Sequence, residues 1–176
     1  ALAAALPLAA AWGASPLLSW WLSRPLREEP SREAGPDERR ELRALAREAW
    51  RYFEETVGEE THGLPPDNLQ EDPELRVAHR TSPTNVSVYL LSLVTARDLG
   101  WIGTAETVER LERVLGTLDR LERFRGHLYN WYDVRTLTPL EPRYVSTVDS
   151  GNLAGHLLAV AEACREFRGG PIPPEE

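Results

Sequence analysis

Two stretches of this sequence are apolar on nearly every side of a helix, and such a helix must be covered on every side. Val86 to Ala96 carries no charge, and Leu153, Ala154, Leu157, Leu158 and Ala161 belong to a second run reaching about Phe167. Ser82-Pro83 is a helix start and Gly100 a stop for the first run. Asp149 or Ser150 is placed to start the second. Each run follows an amphipathic segment. Asp37 is placed to cap a helix to about Val57, with Leu42, Leu45, Ala49, Trp50 and Phe53 on one face. Thr104 is placed to cap another to about Phe124, with Val108, Leu111, Val114, Leu115, Leu118 and Leu121 inward and Gly126 as its stop.

The order is outer, inner, outer, inner. Inner helix leads to outer helix through the short Gly100-Trp101-Ile102-Gly103, whereas Gly58 to Thr81 and Arg125 to Val148 are loops of more than 20 residues. Loops that long in a compact domain usually carry function. The pattern predicts an all-α fold over residues 37–176, the N-terminal part of an (α/α) barrel with both long loops at the mouth formed by the inner helices' N-termini. Two hairpins cannot close a barrel, so the domain is expected to be incomplete. A helical solenoid is the alternative, although its repeats would be more alike.

Residues 1–23 carry no charge, contain Trp12, Trp20 and Trp21, and are followed by Arg24 and Arg27. That arrangement predicts the end of a transmembrane helix whose C-terminal end lies at the cytoplasmic face. A cleaved signal peptide, or an Ala-rich helix packed on protein and weakened by Pro7, Gly13 and Pro16, would also fit. Residues 24–36, with Pro25, Pro30, Gly35 and Pro36 among charges, read as a linker. With no methionine and a Gly-Pro-rich end over 169–176, the chain is expected to be a piece of a larger protein.

The net charge is −8, and all 20 basic residues are arginines scattered among glutamates. A nucleic-acid binder presents a basic face, so no nucleic-acid partner is expected. Cys164 is the only cysteine and His62, His79, His127 and His156 are far apart, so no metal site is expected either.

The second long loop holds His127-Leu128-Tyr129-Asn130-Trp131-Tyr132-Asp133. Aromatic rings stack on the C–H faces of sugars, while Asn and Asp bond ring-edge hydroxyls in fixed directions. Trp131, Tyr132, Asn130 and Asp133 are therefore the right types for a sugar subsite. A short strand pair around 136–142, with its aromatics packed on the rim, explains the same spacing equally well. Asp149 or Ser150 as a plain cap leaves Asn152 unexplained, and Gly151 would permit close approach of a ligand. Arg80 and Asn85 stand at the start of the first inner helix, where Arg80 meets an anionic partner or clamps two loops. Glycoside chemistry needs two carboxylates across a sugar. Of Glu71, Asp72, Asp133, Glu141 and Asp149, none has an evidently apolar setting to raise its pKa, so no catalytic residue is assigned.

Several long strings resemble the bacterial cyclic β-1,2-glucan synthases. They are His79-Arg80-Thr81-Ser82-Pro83-Thr84-Asn85, Tyr89-Leu90-Leu91-Ser92, Ala96-Arg97-Asp98-Leu99-Gly100-Trp101-Ile102-Gly103, Arg125 to Asp133, and Pro142 to His156. Leu64-Pro65-Pro66-Asp67-Asn68 fits as well, and the likeness runs from about Arg39 to Phe167. Members of that family join a UDP-glucose-using glycosyltransferase and membrane helices to a glycoamylase-like α/α-barrel module and a phosphorylase-like module. The resemblance implies a bacterial inner-membrane enzyme with this helical domain on the cytoplasmic side. It further implies that the chain covers the start of the transglycosylating cyclisation module, with its catalytic carboxylates beyond Glu176. No cofactor is expected in this segment, UDP-glucose being the donor for the whole enzyme. Its partners would be β-1,2-glucan, the remaining modules of the polypeptide and, through residues 1–23, the membrane. Arg80, Asn85, Trp131, Tyr132, Asp133, Asp149 and Asn152 are the residues expected to contact glucan. A non-catalytic, membrane-tethered carbohydrate-binding module and a helical scaffold are the competing readings.

Overall fold

The apolar and amphipathic periods become helices in a computed structural model of the chain, which describes residues 2–24 and 33–169. Among those residues the helices are α1 (Leu2–Leu22), α2 (Pro36–Thr56), α3 (Pro83–Asp98), α4 (Thr104–Arg120) and α5 (Thr147–Gly169). Three antiparallel ribbons lie in the connections. β1 (Leu69–Gln70) pairs with β2 (Arg76–Val77), β3 (Arg80–Thr81) with β6 (Tyr132–Asp133), and β4 (Arg123–Phe124) with β5 (His127–Leu128). The expected linker over 24–36 lies mostly, and the tail from 170 to 176 wholly, outside the described residues.

The chain divides into two units, residues 1–41 and 42–176. In the first, α1 forms as an uncharged helix with Trp12, Trp20 and Trp21 exposed, and the Arg24 guanidinium lies 4.0 Å from the Trp20 ring centroid. Among the described residues, however, no helix is long and apolar enough to cross a membrane. The expectation for residues 1–23 is the end of a membrane helix and not a whole span. α2 begins with Pro36 in its first turn, and the Glu38 carboxylate accepts from the Gly35 N–H at 2.7 Å. The chain thus enters that helix through half a capping box instead of the expected Asp37 cap.

In the second unit, α3 is the hub. Ser82 caps it, its Oγ accepting from the Asn85 N–H at 3.2 Å, with Pro83 following. Its end is a Schellman turn. Gly100 takes φ +75°, its N–H donates to the Arg97 carbonyl, and the Trp101 N–H donates to that of Ala96. Val86, Tyr89, Leu90, Leu93 and Ala96 are buried around this helix. α2 runs antiparallel to it, for Arg43 donates to the Leu99 carbonyl at 2.7 Å while Trp50 and Phe53 pack on Tyr89. α4 returns from the tight turn and buries Leu111, Val114 and Leu118. α5 runs parallel to α3. Asn152 bonds Thr84, His156 bonds Ser87, and Arg97 lies over the Phe167 ring. Two parallel inner helices with antiparallel outer ones are the predicted alternation, although the described helices do not close a barrel.

Several details differ from expectation. Leu42, Leu45, Val108 and Leu115 are exposed, while Thr107 and Thr117 are buried. The Thr107 hydroxyl donates to the Gly103 carbonyl and that of Thr117 to the His62 carbonyl, and these bonds satisfy two buried polar groups. Gly103, not Thr104, occupies the cap position of α4. Gly126 does not stop that helix. With Arg125 at φ +50° and Gly126 at +88°, the pair forms the tight turn between β4 and β5, and two positive φ values there match the twist of a hairpin.

Candidate functional site

The two long loops meet where the sequence places them, at the N-terminal ends of α3 and α5. The junction is the β3–β6 pair, in which Arg80 faces Asp133 and Thr81 faces Tyr132. The Val134 N–H extends it, donating to the His79 carbonyl at 3.1 Å. β6 then folds back on its own loop. The Asp133 N–H donates to the Thr138 carbonyl and the Leu140 N–H to the Trp131 carbonyl, so the strand pair expected as an alternative around 136–142 is partly realised.

Adjacent aromatics have opposite fates here. Side chains alternate across an extended segment, so Trp131 and Tyr132 point to opposite sides. Tyr132 is 1% exposed. Its hydroxyl donates to the Glu122 carbonyl at 2.6 Å and accepts from the Tyr129 N–H at 2.8 Å, and burial pushes its pKa up. A ring enclosed in this way cannot stack on a sugar, which corrects the expectation for Tyr132. Trp131 is only partly covered. The Arg80 guanidinium lies 4.7 Å from its ring centroid, within cation–π range.

Arg80 is itself held. Its Nε and Nη2 both donate to Asp67 Oδ2, at 3.0 and 2.8 Å, and Asn85 Nδ2 donates to Asp67 Oδ1 at 3.1 Å. Arg80 therefore spans the loops, as the clamp reading expects, while about half of its side chain stays exposed. Trp131 is gripped on its edge as well. With its amide turned to satisfy its neighbours, buried Asn130 accepts from Trp131 Nε1 at 2.8 Å and from the Tyr144 hydroxyl at 2.8 Å. It then donates to Asp149 Oδ2 at 2.9 Å.

Neither Asp149 nor Ser150 caps α5. Ser146 does, its Oγ accepting from the Asp149 N–H at 3.1 Å. The Asp149 carboxylate is thereby freed to reach the start of α3. Burial acts to raise its pKa, but hydrogen bonds from Ser146, Thr84 and Ser82 outweigh it and hold the carboxyl below the ordinary carboxylate value. Asp133 shows the same balance. Burial is outweighed by the N–H groups of Thr136 and Arg135, which donate to Oδ1 at 3.0 and 2.8 Å, and by the Arg135 charge. Oδ1 of Asp133 thus closes a turn, while Oδ2 faces Arg135 at 3.8 Å. A general acid needs a raised pKa. These two carboxyls are tuned the other way, to stay ionised and accept hydrogen bonds.

Asn152 Nδ2 donates to Thr84 Oγ1 at 3.1 Å, so it ties the two inner helices together at the mouth. A Cβ on Gly151 would meet no other atom of the chain within 4 Å, so protein packing does not demand glycine there. Six of the seven expected residues converge: Arg80, Asn85, Trp131, Asp133, Asp149 and Asn152. An open groove of about 460 Å³ shares Arg80 and Asp133 with that cluster and is otherwise lined by residues such as Gln70, Arg76, His79 and Arg135. Asp67 and Asn130, the two residues that join the cluster, are absent from the expected set. Asn130 lies within the aromatic run and is of the right type for a sugar subsite, whereas Asp67, after a Pro-Pro pair, has only a slight signal in the sequence.

Known proteins resemble this chain in sequence and in fold. The DUF3131 family, described as a protein of unknown function, matches residues 44–156. The cyclic beta-(1,2)-glucan synthase NdvB of Rhizobium meliloti (strain 1021) is 52% identical over 166 residues, which are 94% of this chain and 6% of that protein. The chain thus spans a small fraction of that relative's length. Among solved structures, a candidate glucoamylase from Bacteroides fragilis NCTC 9343 superposes with a TM-score of 0.59 at 18% identity, covering 76% of this chain and 32% of that one. At that identity the likeness is one of fold alone.

Proposed function

The chain belongs to the DUF3131 family, and on that premise we propose that it is part of a cyclic β-1,2-glucan synthase. In this reading it forms one wall of the glucan-binding cleft in the transglycosylating cyclisation module. One observation carries the proposal: the 52% identity with the glucan synthase NdvB runs over 94% of the chain, including both loops that meet at the mouth. The fold likeness to a candidate glucoamylase supports a carbohydrate-active architecture.

The chemistry of the mouth suits a neutral sugar chain. Trp131 offers an aromatic face to the C–H groups of a glucose ring, and Arg80 and Asn152 offer donors to its hydroxyls. Asp133 and Asp149, held ionised, accept bonds from hydroxyls without entering proton transfer. The segment therefore grips the glucan. UDP-glucose, the donor of the whole enzyme, is not assigned a site here, and the carboxylates that exchange glycosidic bonds are assigned to other parts of the polypeptide. The proposal is confined to the mouth.

The test is made in the complete synthase. Trp131→Ala is expected to lower the yield of cyclic glucan or shift its ring-size distribution while linear glucan is still made. Unchanged yield and ring sizes with Trp131→Ala and with Asn152→Ala would remove the mouth from the cleft.

A further inference from the structure

We infer that Asp67 is a positioning residue that sets the Trp131 ring by anchoring Arg80 across its face; its relevance to glucan rests on the proposed function above. Asp67 lies at the base of the β1–β2 ribbon, where its N–H donates to the Ala78 carbonyl at 3.2 Å and the Ala78 N–H donates to the Asn68 carbonyl at 3.0 Å. Its backbone is thus fixed independently of its side chain. The side chain is mostly buried and uses both oxygens, Oδ2 for two Arg80 donors and Oδ1 for Asn85.

Arg80 has a long, flexible side chain, and its guanidinium is held over Trp131 only while its head is anchored. The tryptophan belongs to the other loop. A carboxylate in the first loop therefore controls an aromatic platform in the second, through one guanidinium. The indole edge is fixed separately, by Asn130 and through it Asp149. Removal of the Asp67 charge frees one restraint and leaves the other, so the expected change is a reorientation of the ring and not loss of the loop.

The chain holds six tryptophans, so 5-fluorotryptophan labelling gives a fluorine spectrum in which the Trp131 resonance is identified by its loss in Trp131→Phe. Asp67→Asn, nearly isosteric, is expected to shift and broaden that resonance while the other signals stay in place. Asp67→Glu should partly restore it, and Arg80→Ala should reproduce the shift. In an Arg80→Ala background, Asp67→Asn should then add nothing. An unmoved Trp131 resonance in folded Asp67→Asn protein would overturn the inference. So would an additional displacement caused by Asp67→Asn in the Arg80→Ala background, since Asp67 would then act through Asn85 or the loop backbone. Titration with linear β-1,2-glucan adds a second readout, in which Asp67→Asn should weaken binding about two- to fivefold, the size of an exposed cation–π contact. If the unaltered chain shows no glucan binding, the proposed function fails, while the fluorine comparison still decides the role of Asp67.

Discussion

α3 and α5 are both apolar nearly all round in sequence, yet they are covered very differently. α3 has α2 on one side, α4 on another and α5 alongside, and Leu90, Leu93 and Ala96 are fully buried. α5 rests on α3 along one face only. Val160 is its buried residue, whereas Val148 and Leu158 are 71% and 75% exposed. A hydrophobic pattern states which surfaces favour burial, and the neighbours decide whether burial occurs. The mouth repeats the contrast at smaller scale, with Tyr132 enclosed and its neighbour Trp131 only partly covered.

Substitutions can break that comparison, and the largest effect belongs to α3. Leu93→Ala should destabilise the second unit by about 2–5 kcal/mol, the range for emptying a buried leucine site. Chemical denaturation measures this, and a loss near zero would mean α3 is not the centre of the core. Tyr132→Phe should follow at about 1–3 kcal/mol, because it strips the partner from the half-buried Tyr129 N–H and the donor from the Glu122 carbonyl. Ser146→Ala, which removes the cap of α5, should cost about 1 kcal/mol and fray the first turn in hydrogen exchange. Leu158→Ala on the open face should change stability by no more than about 0.5 kcal/mol. A Leu158 effect as large as that of Leu93 would erase the distinction between the two helices.

The acid limb sharpens the account of the mouth. Asp133 and Asp149 titrate lower in the folded chain than their ordinary value of 3.8. Their contribution to stability is therefore complete above that value and is lost as pH falls through the lowered ones. Urea midpoints should fall between about pH 5 and pH 2, and Asp149→Asn should flatten part of that decline. If Asp149→Asn leaves the acid limb as steep as before, the Asp149 carboxylate is not held by Thr84 and Ser82 in the way described.

The helices were legible in the sequence because their boundaries are local chemistry. Ser82-Pro83, Gly100 and the spacing of Val86, Tyr89, Leu90 and Leu93 each suffice to place α3. The meeting of the long loops followed from counting connections, since both lead into an inner helix. What escaped was long-range pairing between short segments. β3 and β6 are two residues each and lie far apart in the chain, so no periodicity announces them. Asp67 became visible only as the partner of Arg80 and Asn85. The alternation between Trp131 and Tyr132 was available in the sequence, but only to a reading that treated 131–133 as extended.

Calorimetric titration of this chain with linear β-1,2-glucan, alongside Trp131→Ala, tests the central claim most directly. The account predicts measurable binding by the unaltered chain and an affinity at least about fivefold weaker in Trp131→Ala, in keeping with loss of an aromatic stacking contact. Its fold should be unchanged. No binding by the unaltered chain, or equal binding by both, would contradict a glucan site at this mouth.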